Sequence, residues 1–137
     1  MAVTQAVTNQ FKQDVLNGVH QPGDTYKIAL YTQAAATLNK TTTAYTATGE
    51  VVGVGYDAGG KTLSGFTVGI SGDVAYIDFD DPVWTSSTIT ADAALIYNSS
   101  KSNKAMGVYT FASASSTNGN WTAQLPAPGA TALLRIS

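Results

Sequence analysis

Apolar residues near the amino terminus recur every four positions: Val3, Val7, Phe11 and Val15, with Leu16 beside the last. This spacing predicts a helix over residues 3–17 with one apolar stripe. Gln5, Asn9, Gln13 and Asp14 fall away from that stripe. Thr4 is placed to cap the start and Gly18 to end the helix, ahead of a turn at Gln21-Pro22-Gly23-Asp24. The stripe has two candidate partners, the core of the same chain or another subunit.

From Thr25 the period changes to two. Tyr26, Ile28 and Leu30 point one way, and Lys27, Ala29 and Tyr31 the other, which predicts a strand. Residues 33–48 are rich in Ala and Thr without a clear period, and read as a loop with a short helical turn around Thr42 to Thr46. Further strands are predicted over 50–54, 63–70, 74–80, 88–97, 104–111, 121–125 and 131–136. Ser71-Gly72-Asp73 joins the second and third of these as a hairpin, and Pro82 closes the third. Asn98 to Asn103 reads as a polar turn, residues 53–60 and 112–120 as loops, and Pro126-Ala127-Pro128-Gly129 as the last turn. About eight short strands at such intervals, with no crossover helices between them, predict one all-β domain over residues 1–137. The expected architecture is an antiparallel β-sandwich of jelly-roll-like form over 25–137, preceded by one N-terminal α-helix within 1–18.

A chain of 137 residues can bury a sizeable core without covalent staples. That matters because there is no cysteine, which excludes disulfides, thiolate metal sites and cysteine nucleophiles, and suits a reducing compartment or a particle assembled in one. Only 12% of residues are charged, about half the usual share. Thr and Ser, nineteen and eleven of them, supply polarity instead. Such a surface loses little rotamer entropy when a neighbour covers it, although a plain neutral β-protein surface has the same composition. The net charge of −2, with no cluster of Lys and Arg, predicts no nucleic-acid partner. The first residues lack the basic start and apolar run of a secretion signal, and no apolar run approaches a membrane span, so no membrane partner is expected.

Four features resemble reactive sites. Gly55-Tyr56-Asp57-Ala58-Gly59-Gly60-Lys61-Thr62 matches the phosphate-cradling GxxxxGK[ST] pattern. That chemistry needs a helix directly after the loop, so that its first N–H groups face the phosphates. Leu63 to Ile70 holds two glycines and three β-branched residues and is a poor helix, so the glycines are expected to serve a β-connection. Asp78, Asp80 and Asp81 could hold a calcium ion or act as paired acids, but lack the spacing and turn glycine of a calcium loop. Charges that protect a strand edge are the simpler account. His20 is the sole histidine and lies just past the helix end, where a cation suits the helix dipole. Asn39, Asn98 and Asn120 begin N-x-[ST] triplets, which arise by chance in so Thr- and Ser-rich a chain. The expectation is no catalytic residue, no metal and no cofactor. Trp84 and Trp121, the largest apolar groups, are each either a core anchor or an interface residue. Val7, Phe11, Val15 and Trp121 are the candidate interface residues.

The stretch KIALYTQAAATLNKTTTAYTATGEVVGVGYDAGGKTLSG, the stretch DDPVWTSSTITADAALIYNSSKSNKAMGVYTF and the closing ATALLRIS cover a little over half of the chain. Together they resemble the capsid cement (decoration) proteins of tailed bacteriophages, those of short-tailed phages in particular. The resemblance implies a jelly-roll-like domain without enzymatic activity. It implies binding to the outside of an HK97-type shell, bridging of major capsid protein subunits, and stabilisation of the head against its packed DNA. It further implies a homodimer and a place on the outer surface of the virion, after assembly in the bacterial cytoplasm. No short motif carries the capsid contacts, so no residue transfers through it. The alternative is a tail-fibre or baseplate sandwich that stacks exposed Trp and Tyr on a host-surface glycan. The phosphate-loop match has its own test: ATP and GTP are expected to show no saturable binding in calorimetry. Binding abolished by Lys61→Ala would contradict this reading.

Overall fold

The computed structural model describes residues 3–125 and 134–136. The turn expected at 126–129 and the start of the last expected strand lie outside the described residues. The remainder is an all-β fold with one short helix, and every pairing between its strands is antiparallel.

The main sheet is built around β2 (Tyr26–Tyr31) and its long neighbour. β2 lies between β7 (Thr90–Asn98) and the two-residue β3 (Lys61–Thr62). Beyond β7 come β8 (Lys104–Ser115) and β1 (Ala6–Val7), completing a five-stranded sheet in the order β1-β8-β7-β2-β3. Alternation along β2 and β7 sends side chains to both faces, and both faces are buried. Tyr26, Ile28, Leu30, Ala94 and Ile96 enter one cluster with Phe11, Phe79, Trp84, Trp121 and Leu134. Ala29, Tyr31, Ala93, Leu95 and Tyr97 enter a second cluster with Val3, Ala36, Leu38 and Val108.

Two small sheets and the helix cover the first face. One sheet has the order β10-β5-β4, from β4 (Thr67–Ser71), β5 (Val74–Asp78) and β10 (Leu134–Ile136). The other is a ribbon of β6 (Val83–Ser87) and β9 (Gly119–Thr122). The second layer of the sandwich is therefore divided. Irregular chain covers the other face: Ala36, Leu38 and Tyr45 pack on the sheet, and Thr4 N–H donates to Leu38 O at 2.9 Å. Tyr31 Oη donates to Thr46 O at 2.7 Å, fixing the far end of this segment.

Several expected boundaries are corrected. The helix is α1 (Asn9–Leu16) and not 3–17. Val3 bridges Leu38, and Ala6–Val7 pair with β8, so this half of the four-residue spacing is extended chain. Thr8, not Thr4, is the cap: its Oγ1 accepts from Phe11 N–H at 3.0 Å and donates to Ala105 O at 3.0 Å. One hydroxyl thus starts the helix and ties it to β8. Gly18, at φ +66°, follows the helix end as expected. The expected strand over 50–54 reduces to single bridges at Glu50 and Val54. The expected helical turn near Thr42 to Thr46 is extended, with Ala44 bridging Lys104. The expected loop after Phe111 is strand through Ser115. β6 follows Pro82 where no strand was expected.

Phe11 is 2% exposed and stacks on His20 at 5.4 Å, which stands 6.3 Å from Tyr26. The helix is therefore part of the core and not an appendage. Phe11→Ala is expected to cost about 3–5 kcal/mol in denaturant-induced unfolding, the usual range for emptying a buried aromatic site. A loss under about 1 kcal/mol would mean that the helix is not held by the core.

Candidate interaction surface

The features that resembled reactive sites serve the fold. After the loop at 55–60 comes β3, then irregular chain, then β4, so no helix N-terminus faces Lys61. A Cβ at Gly60 would collide with the Ile28 carbonyl, so glycine is needed for the loop to lie against β2. Glu50 holds this loop down: its carboxylate accepts from Tyr45 Oη and Tyr56 Oη, each at 2.5 Å, and from Gly59 N–H at 2.8 Å. Burial, with the Glu50 hydrogen bond beside it, pushes the Tyr45 hydroxyl up to about 12. The acidic run is likewise engaged. Asp81 Oδ1 accepts from Leu125 N–H at 3.0 Å, and Asp80 Oδ2 accepts from Ser64 Oγ at 3.4 Å. Desolvation, followed by the charges of Asp81 and Asp80, raises the Asp78 carboxyl. Among the described residues no group of three or more His, Cys, Asp or Glu could hold a metal ion.

His20 is not a cation on the surface. Its side chain is 4% exposed, and desolvation pulls its pKa down despite the pull of Asp14 and Asp24 in the other direction. Asn98 Nδ2 lies 2.9 Å from His20 Nδ1 and also donates to Asp24 Oδ2 at 2.8 Å. An amide nitrogen can only donate, so Nδ1 is the acceptor and the proton resides on Nε2. Nε2 stands 3.5 Å from Asp14 Oδ2, an electrostatic contact rather than a full hydrogen bond. Lys101 Nζ closes the run by donating to both Asp24 oxygens at 2.8 Å. Burial alone would raise Asp24, but the hydrogen bonds from Lys101, Asn98 and Gln21 N–H hold it at about 2. The chain Asp14–His20–Asn98–Asp24–Lys101 fastens the helix to the end of β7.

Of the four candidate interface residues, Phe11 and Trp121 are core residues at 2% and 4% exposure. Trp121 pairs across the ribbon with Trp84, ring centroids 5.7 Å apart, and its Nε1 donates to Ala114 O at 3.0 Å. Val7 and Val15 are half-buried at the margin of the core. The apolar surface lies beside them. Leu16 on α1 is 89% exposed, and Ile136, Val68 and Ile70 on the small sheet are 49%, 62% and 76% exposed. Register explains the last three. Val68 pairs with Ile77 and Ile70 with Ala75, while Leu134 and Ile136 pair with the same two β5 residues. All six side chains share one face of the β10-β5-β4 sheet. Core packing buries Leu134 and part of Ile77, and the rest of the face extends past the core. Grooves between this face and α1 are lined by Val15, Leu16, Val68 and Ile136, with Lys12 and Arg135 at the α1–β10 end. Val15 is one of the four candidate interface residues, whereas Val68, Ile70 and Ile136 carry no such signal in the sequence because their alternation is that of a core-facing strand.

The His20 network makes stability depend on pH. The folded chain holds His20 below its ordinary value of 6.5, so the unfolded chain takes up the proton first and stability falls as pH drops below about 6.5. Asp24, held at about 2, adds a separate loss only below its ordinary 3.8. The melting temperature of the wild type is expected to fall between about pH 7 and 5, and His20→Leu is expected to flatten that slope. An unchanged slope in the variant would remove His20 from the account.

Comparisons of the chain with protein-family models, with curated proteins and with solved structures return no match.

Proposed function

We propose that this chain is a structural virion protein that cements a phage capsid. It would bind the outer surface of an HK97-type shell, bridge neighbouring major capsid protein subunits, and associate with its own copies there. The observation that carries the docking half of this reading is the aliphatic surface formed by Leu16 and Val15 on α1 and Ile136 on β10. It stands on elements tied to the core, so little ordering entropy opposes its use. The sequence resemblance supplies the partner. Repetition over a symmetric shell converts a modest contact into firm attachment, because each bridged subunit raises the effective concentration of the next. The surface is uncharged except for Lys12 and Arg135 at its margin, so attachment would depend more on apolar burial than on charge.

The glycan-binding alternative finds less support. It requires exposed rings to stack on sugars. Both tryptophans are core residues, and none of the exposed large apolar residues among those described is aromatic.

The test uses heads assembled without this chain. Wild-type protein is expected to co-sediment with them. A Leu16→Glu, Ile136→Glu double variant should keep its melting temperature, because both side chains are already exposed. It should lose roughly ten-fold or more in apparent affinity, as for removal of central interface anchors. Undiminished binding would reject this surface. A wild type that binds isolated tails and not heads would reject the capsid reading.

A further inference from the structure

We infer that the outer edge of β4 is a self-complementary docking site, at which a second copy of this chain adds its own β4 in antiparallel register about Gly69. The inference deepens the proposed association between copies by naming the edge and the register.

The sheet order places β4 at an edge, and among the described residues no strand pairs with its outer side. Gly72 and Asp73 form the hairpin turn, and Gly72 at φ +59° suits the first central position of a II′ turn. The closing pair of such a hairpin, Ser71 and Val74, exchanges both backbone hydrogen bonds. Alternation then directs the N–H and C=O of Gly69 and Thr67 toward β5. Those of Val68 and Ile70 point outward, where a further strand could meet them.

The edge has none of the usual protection against such addition. Thr67-Val68-Gly69-Ile70-Ser71 holds no charge and no proline, and its register with β5 is unbroken by a bulge. Its pattern is also symmetric: polar, apolar, glycine, apolar, polar. A two-fold axis at Gly69 sets Val68 opposite Ile70 of the second copy, and the reverse, with both pairs exchanging outward hydrogen bonds. Thr67 then meets Ser71. Every apolar side chain falls on the face that already carries Ala75 and Ile77, so the pairing extends one apolar sheet across two copies. On the opposite face the Tyr76 ring lies over Gly69 and fills the space that a side chain would take. A five-residue edge buries on the order of 800 Å² counting both copies, the low end for specific contacts, which fits a reversible dimer more than a permanent one.

Sedimentation equilibrium over a concentration series tests the edge and its register together. Wild type is expected to pass from monomer to dimer in the micromolar range and to go no further, since pairing uses the one β4 edge of each copy. Val68→Lys with Ile70→Lys sets like charges opposite each other across the axis and should abolish the dimer. Val68→Lys with Ile70→Glu sets the introduced ammonium of each copy opposite the introduced carboxylate of the other and should restore it. Unchanged melting temperatures identify folded variants, since both positions are exposed. A dimer that survives the double lysine change would place the contact elsewhere and overturn the β4 inference while leaving self-association intact. Loss of the dimer in both variants would overturn the register. A wild type monomeric throughout would overturn self-association as well, while head binding is read separately.

Discussion

Burial of the central sheet on both faces governs the rest of this structure. Antiparallel sheets commonly leave one face to water. Here Ile28, Ala29, Leu30 and Tyr31 on β2 are all fully buried, as are Ala93, Ala94 and Leu95 on β7. Two covers are therefore required. The small sheets and α1 form one, and the irregular chain after β2 forms the other. Each cover is secured by polar contacts that the apolar packing alone would not orient: Thr8 between helix and β8, the His20 network between helix and β7, and Glu50 beneath the loop that crosses β2. Neutral His20 and the hydrogen-bonded Glu50 carboxylate let these polar groups stay inside at modest cost.

Cover on the first face is incomplete. The β10-β5-β4 sheet is wider than the core beneath it, so part of its apolar face and the end of α1 remain outside. Uncovered aliphatic side chains on a rigid frame are unfavourable for an isolated monomer and favourable for a chain that ends up among neighbours. The low charge of the chain points the same way, since few long charged side chains need to be ordered or desolvated when a partner arrives. β10 and β4 are the two outer strands of one small sheet, so the proposed capsid contact and the proposed second copy use different strands.

Legibility in the sequence followed the range of the interactions. Strict alternation revealed β2, and Ser71-Gly72-Asp73 revealed the hairpin, because both are local. The amino terminus misled because residues four apart share a face in a strand as well as in a helix, and Val3 and Val7 proved to be extended. The strand at β6 was hidden because its pairing partner, β9, lies more than thirty residues away, and the Trp84–Trp121 contact has no local signature. The continuation of β8 through Ser113 and Ser115 was hidden because small polar residues on an exposed strand resemble a loop. The exposed apolar surface was the least legible feature. Phe66, Val68 and Ile70 alternate like any core strand, and only the extent of the covering layer decides which of them are left outside.

Density from intact particles, resolved well enough to trace this fold, would test the proposed capsid attachment directly. The domain is expected on the outer surface of the capsid shell, with Leu16 and Ile136 turned toward the shell. Density for the domain confined to the tail, or on the shell with α1 and β10 facing solvent, would contradict this expectation.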